Sequence, residues 1–284
     1  MKVLVLGASG MLGNAVLRVM HEKRDLEVFG TVRSSSVSHF FSEEITKTMI
    51  AGCDVSDHDA LVKLFARVRP NVVINCIGLI KQLADVDDPL ITLPINAMLP
   101  HRLANLCVLA GARLVHMSTD CVFSGAKGNY KESDTSDATD LYGKSKYLGE
   151  VACPHVITLR TSIIGHELQG AHGLIGWFLA QQGSCKGFKR AIFSGLPTVV
   201  LAKVIRDTVL LRPELNGVYH VAAKPISKYD LLRLVAEIYS KSIEIVPDDS
   251  LVIDRSLNAE RFNITTGYVV PEWVDLIRTM HAYQ

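Results

Sequence analysis

Val3-Leu4-Val5-Leu6-Gly7-Ala8-Ser9-Gly10-Met11-Leu12-Gly13 opens the chain, and its reading decides the fold. Four consecutive apolar residues fit a strand buried on both faces of a parallel sheet. After the glycines, Ala15, Val16, Val19 and Met20 recur at helical spacing. A glycine turn between strand and helix lets the backbone approach a pyrophosphate, whose charge is favoured at the helix N-terminus. The spacing is G-x-x-G-x-x-G, not the common G-x-G-x-x-G. Its place between strand and helix makes it a dinucleotide signal and not a merely structural turn. Gly7, Ser9, Gly10, Met11, Leu12 and Gly13 are the candidate contacts to that ligand.

Working outward, strands and helices alternate. Leu26 to Val32 is a second strand, followed by Arg33, Ser34, Ser35 and Ser36. NAD sites carry Asp or Glu at this strand end to take the ribose 2′-hydroxyl. A cation followed by hydroxyls suits a 2′-phosphate instead, so NADPH (NADP) is the expected cofactor; the alternative is that Arg33 only faces solvent. A third strand is predicted to end at Asp54-Val55, beside the adenine edge. Asp57 is the expected cap of a helix carrying Leu61, Leu64, Phe65 and Val68. Val72 to Asn75 is the fourth strand, with Cys76, Ile77 and Gly78 after it near the cofactor's ribose and nicotinamide.

Leu79 to Ile95 reads as a long irregular segment, of the kind that is often functional in α/β domains. Asn96 is expected to open a helix that Gly111 closes. Arg113 to Met117 is the fifth strand. It delivers Ser118, Thr119 and Asp120 to the carboxyl edge, where doubly wound sheets bind ligands. Ser124 to Asp140 reads as a polar loop, and Val156 to Leu159 as a sixth strand ending in Arg160-Thr161-Ser162. Between them lies Tyr142-Gly143-Lys144-Ser145-Lys146. Residues four apart share a helix face, so Tyr142 and Lys146 project together. An ammonium beside a phenol lowers its pKa from near 10, fitting it to protonate an alkoxide. The alternative is a solvated surface helix, but no other tyrosine here has a lysine four residues on.

Beyond Gly165 the alternation loosens. Trp177 lies on an apolar helix, Val200 to Leu211 and Tyr229 to Tyr239 read as helices, Val218 to Val221 as a strand, and Pro271 as the start of a last helix. The expected fold is α/β: a Rossmann-type doubly wound parallel sheet over residues 1–165, and a small C-terminal substrate lobe over 166–284 with segments returning to the sheet.

Composition narrows the class. With 48% apolar residues in 284, the chain can bury a large core and is not disordered. A net charge of +1 without basic runs argues against nucleic acid or anionic lipid as partners. Six scattered cysteines, with no C-x-x-C pair, read as reduced thiols and not as a metal site. No apolar stretch reaches the length of a spanning helix. A soluble cytoplasmic protein is expected, and a homodimer is allowed.

Taken together, the glycine turn, Asn75, Thr119 and Tyr142-x-x-x-Lys146 resemble the extended short-chain dehydrogenase/reductase superfamily over nearly the whole chain. Within it the chain is most similar to dTDP-4-dehydrorhamnose reductases and related nucleotide-sugar reductases. Ser118-Thr119-Asp120-Cys121-Val122-Phe123-Ser124-Gly125 and Tyr142 to Glu150 carry that likeness, with Arg160-Thr161-Ser162, Gly217 to Val221 and Arg255-Ser256-Leu257. The resemblance implies hydride transfer to the C4 ketone of a nucleotide-linked 4-keto-6-deoxy sugar. Tyr142 would protonate the alkoxide, Thr119 would orient the carbonyl, and Lys146 would lower the tyrosine pKa and bind the ribose. Ser118, Asp120, Thr161, His172 and Arg255 are candidate substrate contacts, Arg255 for the pyrophosphate unless it merely pairs with Asp254.

One departure matters. Rhamnose-type reductases usually carry Tyr where this chain has Cys121, and related dehydratases carry Glu, so dehydration is disfavoured. GDP-fucose synthases, which epimerise and then reduce, have Cys there and a His beyond the catalytic helix. Cys121 and His172 are the matching pair for such proton movement. The alternatives are a small apolar filler and a loop histidine. A non-catalytic NADP-binding regulatory subunit, like the partner of methionine adenosyltransferase, is a further alternative that intact Thr119, Tyr142 and Lys146 disfavour.

Overall fold

Continuous apolar runs build the centre of the molecule. The computed structural model describes residues 1–80 and 84–283. Its main sheet has seven parallel strands: β1 (Lys2–Leu6), β2 (Glu27–Val32), β3 (Met49–Ala51), β4 (Val72–Asn75), β5 (Arg113–Thr119), β6 (Val156–Thr161) and β7 (Gly217–His220). They lie side by side in the order β7-β6-β5-β4-β1-β2-β3. The order reverses between β1 and β4, which opens a crevice at their carboxyl ends, where open α/β sheets take ligands.

Alternate residues feed two cores. Val3, Val5, Ile74, Val115 and Ile157 pack on one face beneath α1 (Met11–His21) and the C-terminal helices. Leu4, Leu6, Val73, Leu114 and Val156 pack on the other beneath α2 (His58–Val68) and α3 (Leu99–Ala110). Asp57 caps α2 through the amides of Asp59 and Ala60, as expected. The last element to be placed, α4 (Leu141–Leu148), is capped by Asp140 on the Gly143 amide.

Beyond β6 the chain forms short sheets. Ser184–Phe188 pairs in parallel with Glu244–Asp248, and Ala191–Phe193 pairs with Ile226–Ser227 and Ile253–Asp254. β7 returns from this region to the main sheet.

Four boundaries differ from the sequence expectation. The third strand ends at Ala51, because Gly52 takes a positive φ of 76° and turns the chain before Asp54. Asn96 does not open a helix: it sits inside a helical run from Pro89 that passes through a π-helical turn, Leu93–Met98, into α3. Pro94 in that turn cannot donate to the ladder, a common cause of such irregularity. The helix expected at Val200 starts at Thr198, and the last helix starts at Trp273, with Glu272 and not Pro271 preceding it. Part of the long segment read between Leu79 and Ile95, Lys81-Gln82-Leu83, lies outside the described residues. Among the described residues no helix is long and apolar enough to cross a membrane, and no acidic, histidine or cysteine cluster fits a metal ion. All six cysteines are free thiols.

Candidate active site

The glycine turn sets one wall of the crevice. Gly7 has φ 81°, and a Cβ there would stand 2.8 Å from the Ile77 side chain. A Cβ on Gly13 would stand 2.0 Å from the Gly7 carbonyl oxygen, so only glycine lets α1 start this close to β1. Ser9 and Gly10 are exposed at the mouth, Met11 is partly buried, and the Leu12 side chain lies in the core. Any contact from Leu12 therefore comes from its backbone, and the same holds for buried Val55. The turn is a cradle of backbone groups at a helix N-terminus, which fits a dinucleotide pyrophosphate. Arg33 and Ser34 are exposed beyond β2, with Ser34 capping a short turn through the Ser36 amide. Asp54 is exposed and accepts from the Ser56 amide.

The opposite wall is built by β5 and α4. Strand alternation sends Thr119 to one side and Ser118 to the other. Thr119 Oγ1 accepts from the Cys121 amide at 3.1 Å, donates to Asp120 Oδ1 at 3.1 Å, and is within hydrogen-bond reach of the Tyr142 phenol. Lys146, one helical turn on, is buried and donates to the Met117 carbonyl at 2.6 Å. Its ammonium lies 3.7 Å from where a Cβ on Gly78 would stand, and so faces the end of β4. Burial pushes its pKa down to about 8, against the opposing charges of Glu150 and Cys76. Cys76 is pushed up to about 12, again by burial.

Here the sequence expectation needs correcting. Burial, with the Cys121 and Asp120 charges adding to it, raises the Tyr142 phenol above its ordinary value, while the Thr119 hydrogen bond opposes the shift. The lysine is anchored on a carbonyl and is not what tunes this phenol in the structure. A phenol that keeps its proton at neutral pH suits the reductive direction, in which it must donate.

Asp120 is buried, and burial raises its pKa against the Arg255 charge and hydrogen bonds from Cys121, Thr119 and Ser162. Arg255 donates to the Phe123 carbonyl at 2.8 Å and acts on Asp120 and Cys121. Asp254 accepts from the Ser256 amide, and the Arg255 charge acts on Asp120, so Arg255 is not merely its neighbour's partner.

Four other candidates remain. Ser118 is buried and donates to Glu150 at 2.7 Å, inside the protein and not toward a ligand. Thr161 is buried and donates to the Ser162 carbonyl, leaving Ser162 as the residue that reaches Asp120. Cys121 is not on the strand but in a one-turn 3₁₀ segment, Asp120–Val122, so alternation does not place it. It does adjoin Thr119 and Asp120, but burial pushes its thiol up to about 12, far from a thiolate base at neutral pH. His172 is exposed in the loop before Leu174–Ala180; the next residue, Gly173, lies against Met11 of the glycine turn. The groups that act on Cys121 are Asp120, Arg255 and Thr119, so the structure does not join Cys121 to His172.

Residues that sequence reasoning missed hold this wall in place. Asn96 clamps Leu79, accepting from its amide at 2.9 Å and donating to its carbonyl at 3.2 Å, and donates to Ser145 Oγ on α4. Its carbonyl would be 2.0 Å from a Cβ on Gly149, so the π turn and the end of α4 touch backbone to backbone. Pro94 within a helical run was the available signal. Glu150, just past α4, takes Arg160 Nε and Nη2 at 2.7 and 2.6 Å in a buried bidentate pair. Arg160 also donates to His220 Nε2 at 3.3 Å, which leaves the His220 Nδ1 proton for the Tyr130 carbonyl at 3.0 Å. Burial and the Arg160 charge hold His220 neutral, with a pKa down to about 4.

Comparison with known proteins places this geometry. The chain is 27% identical to methionine adenosyltransferase 2 subunit beta of Danio rerio, over 87% of this chain and 76% of that protein. It is 26% identical to a dTDP-4-dehydrorhamnose reductase of Aggregatibacter actinomycetemcomitans, over 87% of this chain and 82% of the enzyme. The crystal structure of dTDP-4-dehydrorhamnose reductase from Bacillus anthracis in complex with NADP superposes with a TM-score of 0.80 at 19% identity, covering 99% of each chain. Residues 1–251 match the family described as the RmlD substrate binding domain, and the chain belongs to that family.

Proposed function

We propose that the protein is an NADPH-dependent reductase of the C4 ketone of a nucleotide-linked 4-keto-6-deoxy sugar, acting in the synthesis of cell-surface polysaccharide precursors. The observation that carries the reading is the Tyr142 phenol in hydrogen-bond reach of Thr119 at the carboxyl edge of the sheet, with Lys146 one helical turn on and facing Gly78. A subunit that only binds NADP needs the cradle but not this acid, and the intact triad favours the enzyme. The relative described as a dTDP-4-dehydrorhamnose reductase and the NADP complex of the neighbouring structure support the same substrate class and cofactor.

The backbone of residues 7–13 holds the pyrophosphate, and Arg33 and Ser34 take the 2′-phosphate. When bound, the reduced nicotinamide supplies the hydride. Tyr142, protonated at neutral pH, gives its proton to the alkoxide that forms at C4, and Lys146, held toward Gly78, would hold the nicotinamide ribose. Arg255, at the Asp120 end, anchors the nucleotide pyrophosphate. Residues 1–165 form the cofactor unit, and 166–284 form mainly the substrate lobe.

In its cytoplasmic setting the protein pairs with a second copy. The exposed apolar side chains Leu90, Ile91, Met98, Tyr147 and Leu148 lie on the helical run from Pro89 and on α4, and suit that contact. Light scattering should give twice the chain mass; a monomer at micromolar concentration would rule the dimer out.

NADPH oxidation with a panel of nucleotide 4-keto sugars tests the activity. One member should be turned over by the wild type but not by Tyr142→Phe, which should still bind NADPH. Absence of turnover on every member, or full activity in Tyr142→Phe, would overturn the reading.

A further inference from the structure

The Ser118-Thr119-Asp120 motif holds a chain of exchangeable protons behind the phenol. One hydroxyl, Thr119 Oγ1, lies within hydrogen-bond reach of Tyr142 and donates to Asp120 Oδ1 at 3.1 Å. It is thus a bridge between a phenol and a carboxyl, and a hydroxyl can donate and accept at once. The carboxyl is enclosed: Asp120 is 8% exposed, with Ser162 and Cys121 in hydrogen-bond reach and the Arg255 guanidinium beside it. The other nearby cation, Lys146, is held on the Met117 carbonyl. Asp140, at the start of α4, adds a negative charge on the Tyr142 side.

We propose that Asp120 is the proton reservoir for Tyr142, delivering its carboxyl proton through the Thr119 hydroxyl after the phenol has protonated the alkoxide. The inference rests on the reductase reading above. The steps balance. The Tyr142 O–H bond breaks as the alcohol O–H bond forms. The phenolate oxygen takes the Thr119 hydroxyl proton, and the Thr119 oxygen takes the proton of Asp120. The charge finishes on the Asp120 carboxylate, beside Arg255, and water reloads it. No electrons move in the relay. Enclosure favours it, because a buried carboxyl resists losing its proton, as the upward shift of Asp120 reflects. Asp120 acts through Thr119 and need not touch the substrate.

Two measurements decide the matter, and the first needs no substrate. A ¹³C-detected NMR titration of the full chain should find the Asp120 carboxyl still carrying its proton at the pH of the assay, above the ordinary carboxylate range. A carboxylate already ionised at that pH would leave no proton to deliver, and would overturn the proposal whether or not the reductase substrate is known. The second is the rate in mixtures of H₂O and D₂O. Wild-type turnover should depend on the deuterium fraction along a curve, as when more than one proton is in flight. In Asp120→Asn the amide oxygen can still accept from Thr119 but no proton can be delivered. Its dependence should be linear, with kcat down about tenfold or more and KM within about twofold. A linear dependence in the wild type, or wild-type kcat in Asp120→Asn, would overturn the relay while leaving reduction itself established. Failure of the wild type on every ketone would instead count against the reductase reading, and the titration would still decide the reservoir.

Discussion

Replacing Glu150 by glutamine should both destabilise the protein and move its pH profile. Glu150 Oε1 accepts from Ser118 Oγ and Arg160 Nε, both at 2.7 Å, and Oε2 accepts from Arg160 Nη2 at 2.6 Å. The Arg160 and Glu150 side chains are only 4% and 6% exposed. Glutamine has the same shape but no charge, and one of its terminal groups becomes a donor facing the guanidinium. Breaking a buried pair from one side costs about 3–5 kcal/mol, because the remaining ion is left desolvated and uncompensated. The other Arg160 contacts, His220 at 3.3 Å and the Phe123 ring at 5.3 Å, do not change on substitution and offset none of that. At about 2 °C per kcal/mol for a chain of this size, Tm should fall by roughly 6–10 °C. The same carboxylate raises the Lys146 proton affinity against burial, holding it at about 8. The ammonium exists below that pKa and is lost above it, so the wild-type reductase rate should fall as pH rises through about 8. Without Glu150 the lysine pKa drops further, and this alkaline limb should move to lower pH. Calorimetry and kcat as a function of pH check the two halves separately. A Tm within about 2 °C of wild type would refute the buried-pair energetics. An unmoved limb would refute the electrostatic link to Lys146. The double variant Glu150→Leu/Arg160→Met should recover much of the lost stability, since it leaves no buried ion.

Arg33→Asp should weaken NADPH binding by about tenfold to a hundredfold, the value of one charge-assisted phosphate contact, while NADH binding is unchanged or tighter; equal losses for both on titration would show that Arg33 does not read the 2′ position. Gly13→Ala forces a methyl to 2.0 Å from the Gly7 carbonyl oxygen. Backbone must move, so despite alanine's better helix propensity the change should cost about 1–3 kcal/mol and abolish tight NADPH binding. Wild-type NADPH affinity on calorimetric titration would contradict that geometry. Arg255→Ala should raise KM for the nucleotide sugar by about tenfold with little change in NADPH affinity; an unchanged KM would remove Arg255 from the substrate site. With 4-keto substrate in D₂O and no NADPH, deuterium at C3 or C5 should stay at the enzyme-free level, because the Cys121 thiol, at about 12, keeps its proton at neutral pH and supplies no thiolate base; incorporation lost in Cys121→Ser would revive epimerisation.

The sequence by itself determined what local geometry controls. Val3–Leu6 could only be a strand buried on both faces, and glycines 7 and 13 were legible because a missing Cβ is the one feature that permits a positive φ or a backbone approach of this closeness. Tyr142 and Lys146 were placed on one face by helical periodicity, and Thr119 at a strand's carboxyl end by the apolar run before it. Only the tertiary structure decided which of those faces meet. Alternation separates Ser118 from Thr119, but it took the docking of Glu150 over β5 and β6 to send Ser118 inward. Cys121 lay beyond the reach of alternation, since the strand turns into a 3₁₀ segment at Asp120. His172 and Cys121 looked like a pair only while the path of the loop after β6 was unknown. The Asn96 clamp and the upward shift of the Tyr142 phenol were equally hidden. Periodicity fixes which side chains share a face, whereas distance, burial and proton affinity arise from segments remote in sequence closing on one another.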